Sequence, residues 1–263
     1  MVLLQQVCDF IGRLCPFELA ESWDNVGLLL GDPRAAVTRI MTCLTLTDET
    51  VAEAVAQRVS LVVSHHPLPF RPLTRLTTAT PEGRALLTLA GAGIAIYSPH
   101  TAYDSAVEGI NQQLAMGLGL AQIAPLSVPT NAPPGAGAGR CGAVEVGATL
   151  GLMADRAKSF LGIERVQIVG NPDQEVQRMA VACGSAGTLH EAAREAECDC
   201  LVTGEARFHA CLEAMATGLS LILVGHYPSE RFGVEQLATI LQGQFGGLTV
   251  WASRDERDPL TWH

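Results

Sequence analysis

The chain has 263 residues, enough for one large or two modest domains, and a core of that size folds without metal or disulfide staples. A net charge of −10 argues against a phosphate-backbone partner, and Lys158, the one lysine, lies outside any Walker pattern. No run reaches the roughly 18 uninterrupted apolar residues of a membrane span, so neither nucleic acid nor membrane is an expected partner.

In chain order, Leu3, Val7, Phe10, Ile11 and Leu14 recur at helical spacing, and Pro16 stops that helix. Beyond Glu21-Ser22-Trp23-Asp24-Asn25, the apolar run 26–30 reads as a strand closed by Gly31. Alternation follows, with a strand over 39–46, a helix over 48–58 and a buried strand over 61–64. Thr80, Pro81 and Glu82 supply an N-cap, an N1 proline and a first-turn acid to a helix ending at Gly91. A strand over 94–98 precedes a helix carrying Val107, Ile110, Leu114 and Leu118. Residues 125–139 hold four prolines and three glycines without period and read as a linker, so the expected halves are 1–124 and 140–263.

The second half repeats the first. Residues 178–203 align without gaps on 39–64 at a constant offset of 139, which pairs Arg39 with Arg178 and, within one position, Cys43 with Cys183. Gly93-Ile94-Ala95-Ile96 likewise resembles Gly218-Leu219-Ser220-Leu221, and each is followed by a His-x-x-x-acid element. Two related α/β halves with mainly parallel sheets are expected, with a metal site in the crevice between them, because loops at the carboxyl ends of such strands form the binding crevice.

The eight cysteines contain no Cys-x-x-Cys, and Met1-Val2-Leu3-Leu4-Gln5 has no basic leader character. They read as reduced core residues of a cytoplasmic protein. Hydrophobic residues make up 48% and charged residues 17%, below the roughly 25% usual for soluble domains, which points to subunit contacts.

The donors gather at strand ends. They are His65 and His66 after the run 61–63, His100 and Asp104 after 94–97, and His226 and Glu230 after 219–224. Neighbouring side chains of an extended segment diverge, so His65 and His66 are expected to serve two adjacent ions. Ions in two-metal sites lie roughly 3.5–4 Å apart, a gap that one carboxylate spans, and Glu230 has the longer reach. The assignment is His66, Asp104 and Glu230 on one ion and His65, His226 and Glu230 on the other, with open positions for water or substrate. Imidazole with carboxylate suits Zn, Fe, Mn or Ni. The catalytic group is then a water activated by the metals for attack on carbon or phosphorus, and no side chain is assigned as catalyst.

His100 reads either as a donor that orients Asp104 or the water, or as loop packing. Glu205 and His209 follow another strand end and are candidate substrate contacts. Each ligand also has a plainer reading, with Asp104 as a helix cap and Glu230 as a first-turn anion. Gly184-Ser185-Ala186-Gly187 reads as a tight turn, and His190 and His263 as solvent-exposed.

Five pieces carry a resemblance. They are Glu21-Ser22-Trp23-Asp24-Asn25-Val26-Gly27, Ser64-His65-His66-Pro67-Leu68, His100-Thr101-x-x-Asp104, Thr203-Gly204-Glu205 with His209, and Gly225-His226-Tyr227-x-Ser229-Glu230. With these the chain resembles the GTP cyclohydrolase I type 2 homologs, the Nif-three-like dinuclear metal-centre proteins. The resemblance implies that His65, His66, Asp104, His226 and Glu230 match the metal ligands one for one, with Glu230 at the bridging position. It also implies a homohexameric ring whose metal centres face an internal cavity, and a short form without the extra domain some members carry. Ala102-Tyr103 stands where the family often has Asn-Leu, and Glu205 where it often has Asp. The expected activity is two-metal hydrolysis of a small nucleotide-related or phosphorylated molecule. The alternative is a non-catalytic metal-binding or regulatory ring.

Overall fold

The structure, a computed structural model, describes residues 1–130 and 132–261, so His263 and Asn131 of the 125–139 segment lie outside the described residues. The first strands are β1 (Val2–Leu3), β2 (Gly27–Leu30), β3 (Ala36–Val37), β4 (Arg39–Cys43), β5 (Leu61–Ser64) and β6 (Ala95–Ser98). They are followed by β7 (Ala121–Ser127), β8 (Ala138–Ala143), β9 (Gln167–Val169), β10 (Arg178–Ala182), β11 (Cys200–Thr203), β12 (Ser220–Leu223) and β13 (Thr249–Ala252). The helices are α1 (Leu4–Leu14), α2 (Asp48–Ala56), α3 (Pro81–Gly91), α4 (His100–Ser105) and α5 (Ile110–Gly117). Then come α6 (Leu150–Leu161), α7 (His190–Glu195), α8 (Phe208–Ala216) and α9 (His226–Gln244). This is a mixed α/β fold in two units.

The first unit comprises residues 1–103 and the chain from Gly233 onward. Its sheet has the order β13-β4-β5-β6-β2, parallel throughout except for β2, which runs antiparallel to β6. The strands β5 and β6 are wholly buried, as expected of parallel strands covered on both faces. Met41, Val62 and Ile96 pack with Leu86 and Leu89 of α3, each such burial contributing about 1.5–3 kcal/mol.

The second unit, Asp104–Phe232, has the order β7-β8-β10-β11-β12-β9. Only β10-β11-β12 is parallel, and the outer pairs are antiparallel, so this sheet is mixed and not mainly parallel. The repeat seen in the sequence is structural: β10 and β11 stand 139 residues beyond β4 and β5 at both of their ends.

The units are not divided where composition suggested. The chain passes from one to the other at Tyr103/Asp104 and returns at Phe232/Gly233, inside α4 and α9. The 125–139 segment lies within the second unit. Its two ends belong to β7 and β8, which pair antiparallel with Pro125 opposite Arg140 and Ser127 opposite Ala138. Pro125 is tolerated because β7 is an edge strand, where a missing N–H costs no ladder bond. The fully buried Arg140 fastens the arm. It donates to the carbonyls of Gly137, Gly139 and Ala106 and to Gln112 Oε1, at 2.6 to 2.9 Å.

The C-terminal stretch belongs to the first unit, because β4 offers β13 an open edge. Beyond β13 the backbone turns around the carboxylate of Glu53 on α2. Trp251 Nε1, Ser253 Oγ and the amides of Arg254 and Asp255 all donate to it. Burial would raise this carboxyl, but the donors outweigh it and hold it below the ordinary 4.5.

Among the described residues no helix is long and apolar enough to cross a membrane, and all eight cysteines are free of disulfides.

Replacing Arg140 with Met keeps the apolar stem of the side chain but strands three buried carbonyls and Gln112 Oε1. The expected loss is about 3 kcal/mol or more of unfolding free energy, measured by urea denaturation. Glu53→Gln is expected to cost about 2 kcal/mol near neutral pH. A carboxyl with a lower pKa when folded adds stability that is complete above its unfolded value and vanishes as pH falls through the folded one. The gap between native and variant should therefore close below about pH 4.5, and a gap that stays constant to pH 3 would contradict the role given to Glu53.

Candidate metal centre

Parallel pairing places the chemistry at the carboxyl ends of neighbouring strands. In the first unit, β5 pairs with β6 up to Val63 opposite Tyr97, so the residues after Ser64 and after Ser98 emerge side by side. His65, His66 and His100 each offer a ring nitrogen, and these atoms lie within 4.8 Å of one another. The ring centroids are 5.2 to 5.6 Å apart. Side chains of adjacent residues were expected to diverge, yet those of His65 and His66 converge. The reason is that β5 ends at Ser64 and both histidines sit in a bend, where strand alternation no longer applies.

The turn is fixed by hydrogen bonds. The amides of His65 and His66 donate to the carbonyls of Cys43 and Leu44, and Ser98 Oγ donates to the His65 carbonyl. His66 Nδ1 shares a 2.8 Å hydrogen bond with Thr45 Oγ1. The amides of Leu44 and Thr45 are in turn held by the buried carboxylate of Glu256.

His100 proves to be part of the cluster. Its Nδ1 donates to Asp24 Oδ1 at 2.7 Å, which leaves Nε2 for a cation. Asp24 also accepts from the amide and the hydroxyl of Thr101. Burial alone would raise the Asp24 carboxyl, but the bonds from His100 and Thr101 bring it down to about 2. A carboxylate that stays ionised behind an imidazole fixes the tautomer and strengthens the nitrogen as a donor.

In the second unit the ends of β10, β11 and β12 carry Cys183, Glu205 and His226. His226 Nδ1 meets Glu205 Oε1 at 3.0 Å, and Nε2 meets Glu230 Oε2 at 3.1 Å, one turn along α9. The Glu230 carboxylate, with Glu205 and against burial, lifts the imidazole to about 9. Glu205 faces the Nδ1 proton and Glu230 the Nε2 proton, and the latter is the one with which a divalent ion would compete. Asp104 accepts from the buried thiol of Cys183 at 3.3 Å. Burial, reinforced by the nearby Asp104 and Glu230 carboxylates, keeps that thiol protonated.

Two glycines admit this arrangement. Gly184 has φ +64°, and a Cβ there would lie 2.2 Å from Glu230 Oε1. A Cβ on Gly204 would lie 2.5 Å from the Gly184 carbonyl and 2.7 Å from Ser229 Oγ. Ser229 Oγ accepts from the Gly184 amide and donates to the His226 carbonyl, tying the turn after β10 to the start of α9.

Of the residues singled out in the sequence, His65, His66 and His100 are brought together in the first unit, and Glu205, His226 and Glu230 in the second. Glu205 touches His226, which gives it the work of orienting that imidazole. His209 is exposed at the start of α8 beside Phe208. His190 differs from expectation: it bonds the Gly187 carbonyl and Glu213 and is largely covered. Asp24, Thr45, Cys183 and Asn111, whose side chain bonds the Asp104 carbonyl and the Cys183 amide, had been given no role. Nothing in their spacing announces them. Each acts through a contact between segments far apart in the chain.

These donor groups could hold a metal ion, and the chain is similar to known proteins over almost its whole length. The family model Duf34/NIF3 (NGG1p interacting factor 3) matches residues 2–259. A Lactococcus lactis protein named GTP cyclohydrolase 1 type 2 homolog is 33% identical over 261 residues, covering 97% of this chain and 98% of the relative. A Schizosaccharomyces pombe protein NIF3 homolog is 34% identical over 259 residues, covering 93% and 92%. Among solved structures, the Staphylococcus aureus hypothetical protein SA1388 superposes with a TM-score of 0.90 at 29% identity, covering 99% of each chain.

Gly184→Ala tests the packing around Glu230. The left-handed backbone costs a Cβ about 1–2 kcal/mol, and the added methyl must displace the carboxylate. Both a lower melting temperature and reduced metal content are expected, read by calorimetry and elemental analysis. Native metal content in a folded variant would refute the close approach.

Proposed function

Because the chain belongs to the Duf34/NIF3 family, we propose that it binds two divalent metal ions through His65, His66, Asp104, His226 and Glu230 and hydrolyses a small nucleotide-related or phosphorylated molecule. The observation that carries this reading is the gathering of donors at strand ends, with His65 and His66 close together beside His100 in the first unit and His226 against Glu230 in the second. Buried imidazoles backed by a carboxylate and a hydroxyl fit a cation and serve poorly as mere packing. Mixed nitrogen and oxygen donors suit Zn, Fe, Mn or Ni.

When bound, such ions supply Lewis acidity and a nucleophile at neutral pH. The chain supplies orientation. Asp24 fixes the tautomer of His100 and Glu205 that of His226, while Thr45 holds the orientation of the His66 ring, so that the outer nitrogen of each ring is the one presented. Glu230, almost fully buried and set against Gly184, is the proposed bridging carboxylate. Glu205 and His209 are the proposed substrate contacts. The name of the Lactococcus relative makes opening of a purine ring one reaction to test, and phosphoester hydrolysis another. A cytoplasmic homohexamer belongs to the same proposal, and light scattering should report six chains, any other number counting against it.

Protein purified without chelator or affinity metal should contain two equivalents of metal and hydrolyse a member of a panel of GTP, phosphoesters and cyclic amides. Metal with no turnover across that panel would remove the enzymatic part of the proposal. In Glu230→Gln both ions should be bound at least about tenfold more weakly, because a neutral amide bridges poorly. His65→Ala and His66→Ala should each deplete chiefly a different ion. Two equivalents retained in Glu230→Gln would rule out the bridge.

A further inference from the structure

Two large aromatic side chains stand in solvent beside the imidazole cluster of the first unit. Trp23 is 58% exposed and Phe70 is 44% exposed. Their ring centroids are 5.8 Å apart with planes tilted by 44°, so a flat ligand lies on one ring and meets the other at an angle, and each ring meets His100 edge to face, at 6.0 and 6.1 Å. Scattered exposed aromatics need no explanation, but a pair packed against a buried group of donors does.

The pair is also held in place. Trp23 is followed by Asp24, whose carboxylate is bonded by His100 and twice by Thr101. Asn25 Nδ2 donates to the carbonyl of Pro69 at 2.7 Å, which locks the loop carrying Trp23 to the loop carrying Phe70. A rigid aromatic face loses little conformational freedom on binding, and a flat π system is the shape that uses it best.

We propose that Trp23 and Phe70 form a stacking platform that receives a planar nitrogen heterocycle, such as a purine base, and delivers the rest of that molecule to the His65–His66–His100 cluster. The inference rests on the metal-dependent reading for the identity of the reacting end, while the stacking itself depends only on the two rings. Of the nucleotide-related and the merely phosphorylated substrates open to that reading, it selects those that carry a flat ring. Phe70 is followed by the exposed Arg71 and Arg75, cations suited to a phosphate on the same ligand.

The test uses the whole metal-loaded protein, AMP and GMP as ring-bearing probes and ribose 5-phosphate as the ringless control, with calorimetric affinities and elemental analysis on each sample. The nucleotides should bind at least about tenfold tighter than the sugar phosphate. Trp23→Ala and Phe70→Ala should each erase most of that preference while metal content stays native, and Trp23→Phe should restore part of it. Equal affinity for all three probes, no binding of either nucleotide, or unchanged preference in both alanine variants overturns the platform. If those variants instead change the number of chains in the assembly and leave the preference intact, the rings are a subunit contact and the proposal fails. Wild-type protein that takes up no metal yet still prefers nucleotides through Trp23 would sink the metal reading and leave the platform standing.

Discussion

The parallel pairing of β5 with β6 is the constraint on which the first unit's chemistry depends, because it brings two chain segments more than thirty residues apart out of the sheet at one end. A parallel ladder aligns carboxyl ends with carboxyl ends, so whatever follows each strand is delivered to the same edge. His65 and His66 follow one strand and His100 the next. Had either strand run the other way, the third imidazole would stand a full strand length from the other two. Everything else at this edge refines a proximity that the ladder already imposes.

The refinement comes from groups behind the rings. Asp24 sits behind His100, Thr45 behind His66 and Glu205 behind His226, each bonded to Nδ1. An imidazole without such a partner can rotate and exchange tautomers, and its outer nitrogen then points nowhere in particular. Ionised Asp24, held low by Thr101 as well as by His100, also adds negative charge that favours a cation at the far side of the ring.

Much of this was legible in the sequence because it repeats. The strands β4 and β5 return as β10 and β11 at a single offset, and the His-x-x-x-acid elements follow the third strand of each parallel trio. Periodicity reads such features well, since apolar runs and strand ends are local. The fate of residues 125–139 was not local. Proline and glycine density suggests a linker, but the segment is pinned by a guanidinium that arrives only at Arg140. The return of the chain at β13 was hidden for a similar reason: Thr249–Ala252 is a short strand whose place is set by the open edge of β4 and by Glu53, two hundred residues earlier. Asp24 lies in a polar loop and reads as one until Thr101 and His100 fold onto it.

The repeated pattern holds different chemistry in its two places. Counting 139 residues from His66 arrives at Glu205, and the two side chains do equivalent things: His66 lies against His100 after the third strand, as Glu205 lies against His226. One exchange of imidazole for carboxylate at that position alters the character of each edge. The first unit presents three nitrogen donors with its carboxylate, Asp24, set behind them. The second presents oxygen donors from Glu205 and Glu230 around one imidazole, with Asp104 capped by a thiol that burial keeps neutral. A nitrogen-rich edge favours borderline cations such as zinc and ferrous iron, and a carboxylate-rich edge favours harder ones such as manganese. The same strand pattern thus carries imidazoles at one edge and mainly carboxylates at the other, and both sets of donors were legible from the strand ends.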